Sequence, residues 1–243
     1  MGKDKQLGIC SICGENKELT FEHLPPRAAK NDRPVNIQDH RHLFLLSNEN
    51  SYLYEKFSKS PKGLGGYKLC ESCNTGGNYA NDYAKLVDEA FPSVIMHRND
   101  KSVQFSLNIH PLNVLKQILI FHLCADQALG ALREIIQENN FILDRHQKEL
   151  SPEIKVFMYA TLSDKHRMFG VATGLFNFPG KVATYSEFNF HPFGFILSLN
   201  SDPPLDSMME ITHFKDYNYN ELSTIDFELP LLNVINERMA FYL

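Results

Sequence analysis

Three patterns of apolar spacing divide the chain. In "ELTFEHL", residues 18–24, apolar Leu19 and Phe21 alternate with polar residues, the mark of a short strand with one buried face. Pro25 and Pro26 follow and cannot continue a ladder. Tyr79, Tyr83, Leu86, Val87 and Phe91 then recur at helical spacing, which predicts a helix ending before Pro92. "HPLNVLKQILIFHLCADQALGALREIIQENN" carries a proline at an early helical position and predicts one or two amphipathic helices. Beyond it come the strand-like runs "IKVFMYATL", "MFGVATGLF", "VATYSEFNF", "FGFILSLN", "MMEITHF" and "STIDFELPLL". Turn residues such as "NFPGK" and "NSDPP" separate them.

This order predicts an α+β fold in two parts. Residues 1–94 form the first, and residues 95–243 form a second with helices and a mainly antiparallel sheet. The stretch from Asn31 to Lys68 is rich in Asn, Ser, Lys and Gly, with "HLFLL" as its apolar cluster, and reads as a long insertion. Composition adds a packed core, since 43% of the residues are hydrophobic and 22% charged. No run reaches the roughly 18 apolar residues of a membrane span. "MGKDKQLGIC" is polar, with no apolar run after its lysines. A reducing cytoplasm is therefore the expected location, with no membrane partner.

Five cysteines are few for this length, and four of them pair as Cys10-x-x-Cys13 and Cys70-x-x-Cys73. In a reducing compartment two such pairs favour metal over disulfides, and four thiolates suit a tetrahedral structural zinc. Gly14, Gly76 and Gly77 are compatible with tight turns beside them. Cys124 lies in the apolar helix and reads as a core residue. Between the pairs stand Glu22 and His23, and Asn74 directly follows the fourth cysteine. Alone, Asn74 is a helix cap and His23 an ordinary histidine. Together they are an acid, a base and an amide bracketed by one metal staple.

The arrangement C-x-x-C, EH-x-x-P, LC-x-x-CN resembles the zinc-bearing HNH endonucleases with a ββα-metal site, nearest to the recombination endonuclease VII branch. The resemblance covers about residues 8–91. It implies that Glu22 and Asn74 ligate Mg²⁺ or Mn²⁺ and that His23 activates water. Many relatives carry a further His on the next helix, where Asn78 stands here. The chain departs from the family in having Glu at 22, a long gap from His23 to Cys70, and no identifiable intermediate Asn. Residues 93–243 resemble, more loosely, the second half of uncharacterised bacterial proteins that begin with such a knuckle. The implied activity is hydrolysis of DNA, with RNA left open, by a homodimer or a subunit of a bacterial defence assembly.

Charge modifies this picture. The net charge is −5, yet residues 1–100 sum to zero and residues 101–243 carry the whole deficit. Lys56, Lys59, Lys62 and Lys68 occur with no acid between Glu55 and Glu71, and Arg27 and Lys30 follow His23. Such a run is either a solvated face or a phosphate-contacting one, and its place between the knuckles favours the second. Two alternatives stand beside the nuclease reading. "DHRH" offers Asp39, His40 and His42 as a rival catalytic group. A zinc-knuckle module that binds without cutting is the other.

Overall fold

The computed structural model describes residues 6–37, 58–75, 79–126, 130–163, 166–175 and 182–232. Strand β1 (Gln6–Ile9) pairs with β2 (Asn16–His23), and a bulge between Thr20 and Phe21 interrupts the pairing of β2 with β5 (Gly65–Cys70). Two short strands, β3 (Val35–Ile37) and β4 (Ser58–Ser60), pair with each other. After β5 come the one-turn helix α1 (Glu71–Thr75) and the long helix α2 (Tyr79–Met96). Helix α2 runs through Pro92 instead of ending before it. The proline forfeits one helical hydrogen bond, but Ala90 and Val94 on either side are buried, so core packing carries the helix past it.

Strand β6 (Ser102–Ile109) was not among the strand-like runs, and it pairs along its whole length with β12 (Ser223–Pro230). Between them lie α3 (Pro111–Ala125) and α4 (Ala131–Ile136), then a five-stranded antiparallel sheet. That sheet holds β7 (Ile154–Ala160), β8 (Arg167–Leu175), β9 (Val182–Phe190), β10 (Phe193–Leu199) and β11 (Met209–Glu210), in the order β11-β7-β10-β9-β8. The strands expected in the second half are present. "MMEITHF" is an exception, yielding two strand residues and then a 3-10 turn over Thr212–Asp216. There the Thr212 hydroxyl accepts from the Val156 N–H at 2.9 Å and takes over the next rung of the ladder. The fold is α+β with mainly antiparallel sheets.

Helix α3 was expected to be amphipathic and is instead buried on every side. Helix α2, the sheet strands β8 to β10, the 212–216 turn and α4 surround it. A helix in that position must satisfy its polar side chains internally. Asn113 donates to Asp82 at 2.7 Å, and the Lys116 ammonium donates to the Asp144 carbonyl at 2.6 Å. His122 meets the Ser186 hydroxyl at 2.8 Å. One apolar core runs continuously from Cys10 in the first sheet to Leu229 in β12. Phe193, Phe195 and Leu197 of β10 face it, while Ile196 faces a smaller cluster on the other side of the sheet with Phe157 and Tyr185.

His122 gives this core a pH dependence. Ser186 donates its hydroxyl proton to the Phe169 carbonyl, so His122 must donate from Nδ1 to Ser186, which leaves Nε2 as a buried acceptor with no partner among the described residues. Burial pushes the imidazole down to about 3 from an ordinary 6.5. The folded pKa lies below the unfolded one, so acidification through that window protonates the unfolded chain first. Stability is therefore lost as pH falls from 6.5 toward 3, by about 1.4 kcal/mol per pH unit from this group. His122→Asn keeps a donor toward Ser186. Denaturant melts between pH 7 and pH 4 should show its slope flattened by about one proton relative to the parent. An unchanged slope would mean that His122 does not titrate on unfolding.

Candidate metal centre

The first cysteine pair sits in the turn between β1 and β2. Cys10 donates its N–H to the Glu15 carbonyl at 3.0 Å, and Gly14 donates to the Cys10 carbonyl at 2.9 Å, closing the knuckle. Gly14 has φ of +72°, which favours a residue without Cβ. Cys70 ends β5 and Cys73 lies in α1, so the second pair joins a strand to a helix. The register of β2 on β5 pairs Leu19 with Cys70 and brings the two turns together.

All four sulfurs lie within 4.8 Å of one another, with Cys13 and Cys70 at 3.9 Å. Tetrahedral Zn²⁺ with bonds near 2.3 Å requires sulfurs about 3.8 Å apart, so the donor set fits a metal such as zinc. The Cys70 N–H points at the Cys10 sulfur at 3.4 Å. The Cys10 thiol is pushed down to about 4, chiefly because the Cys73 thiol donates to its sulfur, and Cys73 is raised in consequence.

The second half covers this centre. Ile12, inside the first knuckle, is buried, and Gln137 reaches its carbonyl at 3.5 Å. The Arg133 guanidinium lies against Gly14, where an added Cβ would come within 3.0 Å of Nε. Ser11 hydrogen-bonds the buried thiol of Cys124 on α3.

One turn of α1 beyond Cys70 stands Asn74, which donates to the Thr20 hydroxyl at 2.9 Å. Thr20 in turn donates to the Leu69 carbonyl at 3.0 Å. Asn74 also hydrogen-bonds the Glu22 carboxylate. Its amide nitrogen thus serves two acceptors, and no hydrogen bond from a described residue occupies its carbonyl oxygen. Burial pushes the Glu22 carboxyl up to about 7, and the weaker opposing effect is the bond from Asn74. Glu22 and Asn74 line a cavity of about 110 Å³ with Ser72, Tyr79 and Gln117.

His23 points elsewhere. It ends β2, and side chains alternate along a strand, so it leaves on the face opposite Glu22. Its ring meets Phe21 edge-on at 5.2 Å, and one ring N–H donates to the Lys62 carbonyl. Burial lowers its pKa, and the cations of Arg27 and Lys62 lower it further. The imidazole is therefore neutral at pH 7. Asn31 fixes the chain beyond it: the buried side chain donates to the Pro25 and Leu64 carbonyls and accepts from the Leu64 N–H, each at 2.7 Å.

The structure therefore joins Glu22 to Asn74 and surrounds His23 with Arg27 and Lys62. Lys30 is held by Asp88 at 2.7 Å and lies over the Phe91 ring. Lys59 is exposed on β4, and Lys68 is half-buried on β5. Lys56, Asn78 and the Asp39, His40 and His42 run lie outside the described residues. Sequence reasoning missed Thr20, Asn31 and Gln117. The alternation that places Thr20 on the Glu22 face was a usable signal. Asn31 and Gln117 had none beyond being polar residues near apolar ones.

Comparison with protein-family models, curated proteins and solved structures yields no match for this chain. Among the described residues, no helix is long and apolar enough to cross a membrane.

Proposed function

We propose that this chain is a zinc-stapled, divalent-ion-dependent endonuclease of the HNH type that hydrolyses DNA. The supporting observation is the pairing of Glu22 and Asn74 across β2 and α1, locked by the cysteine cluster, with His23 as the next residue along the strand. A carboxylate and an amide oxygen suit a hard cation such as Mg²⁺ or Mn²⁺, while the thiolates suit zinc, so the two metals sort by ligand type. When bound, the hard ion supplies Lewis-acid stabilisation of charge on the phosphate oxygens.

The chain's own groups do the rest. Glu22 and His23 are the last two residues of β2 and leave it on opposite faces, so the scissile phosphate must sit at the strand end, where both side chains can reach it. Arg27 and Lys62 attract its phosphates toward the imidazole. His23 holds one proton on the Lys62 carbonyl and offers its other nitrogen as base. That nitrogen takes a proton from water as the water oxygen bonds to phosphorus. The bond from phosphorus to the leaving oxygen breaks, and solvent protonates the alkoxide.

Supercoiled plasmid should be nicked by zinc-loaded protein with added Mg²⁺ or Mn²⁺ and left intact without it. Protein that retards plasmid on a gel and never nicks it, at any divalent-ion concentration, is a binding module, and the nuclease reading fails. Cleavage of single-stranded RNA with DNA untouched would change the substrate but not the chemistry.

A further inference from the structure

We propose that Gln117 supplies a third protein oxygen to the ion held by Glu22 and Asn74, so that the ion is gripped by both halves of the chain. The inference rests on the ion-site reading above and extends it to a residue of α3. Gln117 is only 4% exposed, and its side chain lines the same cavity as Glu22 and Asn74. No described residue hydrogen-bonds its amide, whereas each of the other buried polar side chains of α3 makes at least one hydrogen bond. Asn113 has Asp82, Lys116 has the Asp144 carbonyl, and His122 has Ser186.

Its amide atoms are open to the cavity and not sealed off, so they are satisfied by what the cavity holds, water or an ion. The remaining wall from the second half is apolar, formed by Ile120, Ile142 and Leu143. Gln117 is therefore the one polar group that α3 presents to this cavity. Its chemistry matches that of the pair opposite. One carboxylate and two amide carbonyls give a hard divalent cation three oxygen ligands and leave it with net positive charge to attract a phosphate. A cavity of about 110 Å³ holds an ion and several waters, since each water needs roughly 10–15 Å³.

The consequence is an ion site that is complete only while α3 is docked against β2 and α1. Mn²⁺ uptake by the zinc-loaded full-length chain, read from loss of the free-ion electron paramagnetic resonance signal, tests this without any cleavage assay. Gln117→Ala should weaken Mn²⁺ binding about tenfold, with zinc content unchanged. Gln117→Leu keeps the side-chain volume and removes the unpartnered amide. It should melt no lower than the parent and yet lose Mn²⁺ binding by at least the same factor, a split that a merely structural glutamine would not produce. Gln117→Glu should tighten binding. Parent-like Mn²⁺ affinity in Gln117→Leu, beside a Glu22→Ala variant that has lost it, overturns the role of Gln117 and leaves the Glu22 and Asn74 site standing. A parent protein that takes up no Mn²⁺ removes both.

Discussion

Cys73→Ser, or removal of the metal by a chelator, is expected to unfold the whole chain and not merely loosen its first sheet. With a metal bound, the cluster ties together Cys13 and Cys70, 57 positions apart, and most of the chain between them is polar. Once the sulfurs separate, β2 is left to the β5 ladder and to the hydrogen bonds that Thr20 and Asn74 make with Leu69 and Thr20, respectively. The second half also leans on the knuckle, through Ile12 in the common core, Arg133 over Gly14 and Cys124 against Ser11. Structural zinc in small peptides contributes roughly 10–16 kcal/mol, and a whole domain is stable by only about 5–15 kcal/mol. Even a third of that loss lowers the melting temperature of a chain this size by about 10–20 °C. Protein purified without added metal should carry one zinc by elemental analysis. Hydrogen exchange after chelation should rise in α3 and α4 as well as in β1 and β2. Less than half an equivalent of zinc, or an unchanged melt after chelation, would sink the staple.

The parts of this architecture legible in sequence were those with a strong local signal. Cys-x-x-Cys spacing marked both knuckles, and the apolar runs from Ile154 to Phe190 and beyond marked the strands of the larger sheet. Helix α3 was legible as a helix but not as a fully buried one, because its polar residues Asn113, Lys116 and His122 mimic a solvent face. Their partners Asp82, Asp144 and Ser186 lie 28 to 64 residues away, and no local pattern reveals them. Pro92 gave a false stop, since burial of Ala90 and Val94 outweighs one lost hydrogen bond. The same limit applies to the site. Glu22 and Asn74 stood out through their neighbours, the cysteines. Thr20, which orients Asn74, and Gln117, which faces it across the cavity, depend on register and docking that only the folded chain displays.

His23→Ala should lower the nicking rate by about 10²–10⁴-fold, the usual weight of a general base, while zinc content, melting temperature and Mn²⁺ affinity stay at parent values. The last clause separates it from Glu22→Ala. Loss of that carboxylate should weaken Mn²⁺ binding, and excess ion should restore part of the rate. The two groups also separate by pH. Burial and the nearby cations lower the His23 pKa, so at saturating Mn²⁺ the rate should rise with pH through a midpoint below 6.5 and then level off. Glu22, pushed up to about 7, must shed its proton before it can ligate, so Mn²⁺ affinity itself should climb between about pH 6 and 8. Neither rise should survive in the variant lacking its group. His40→Ala and His42→Ala are the internal controls, because the rival Asp39, His40 and His42 run assigns the base to them. Full activity in His23→Ala beside a dead His40→Ala would move the reaction centre into that run and leave Glu22 and Asn74 as structural neighbours of the zinc.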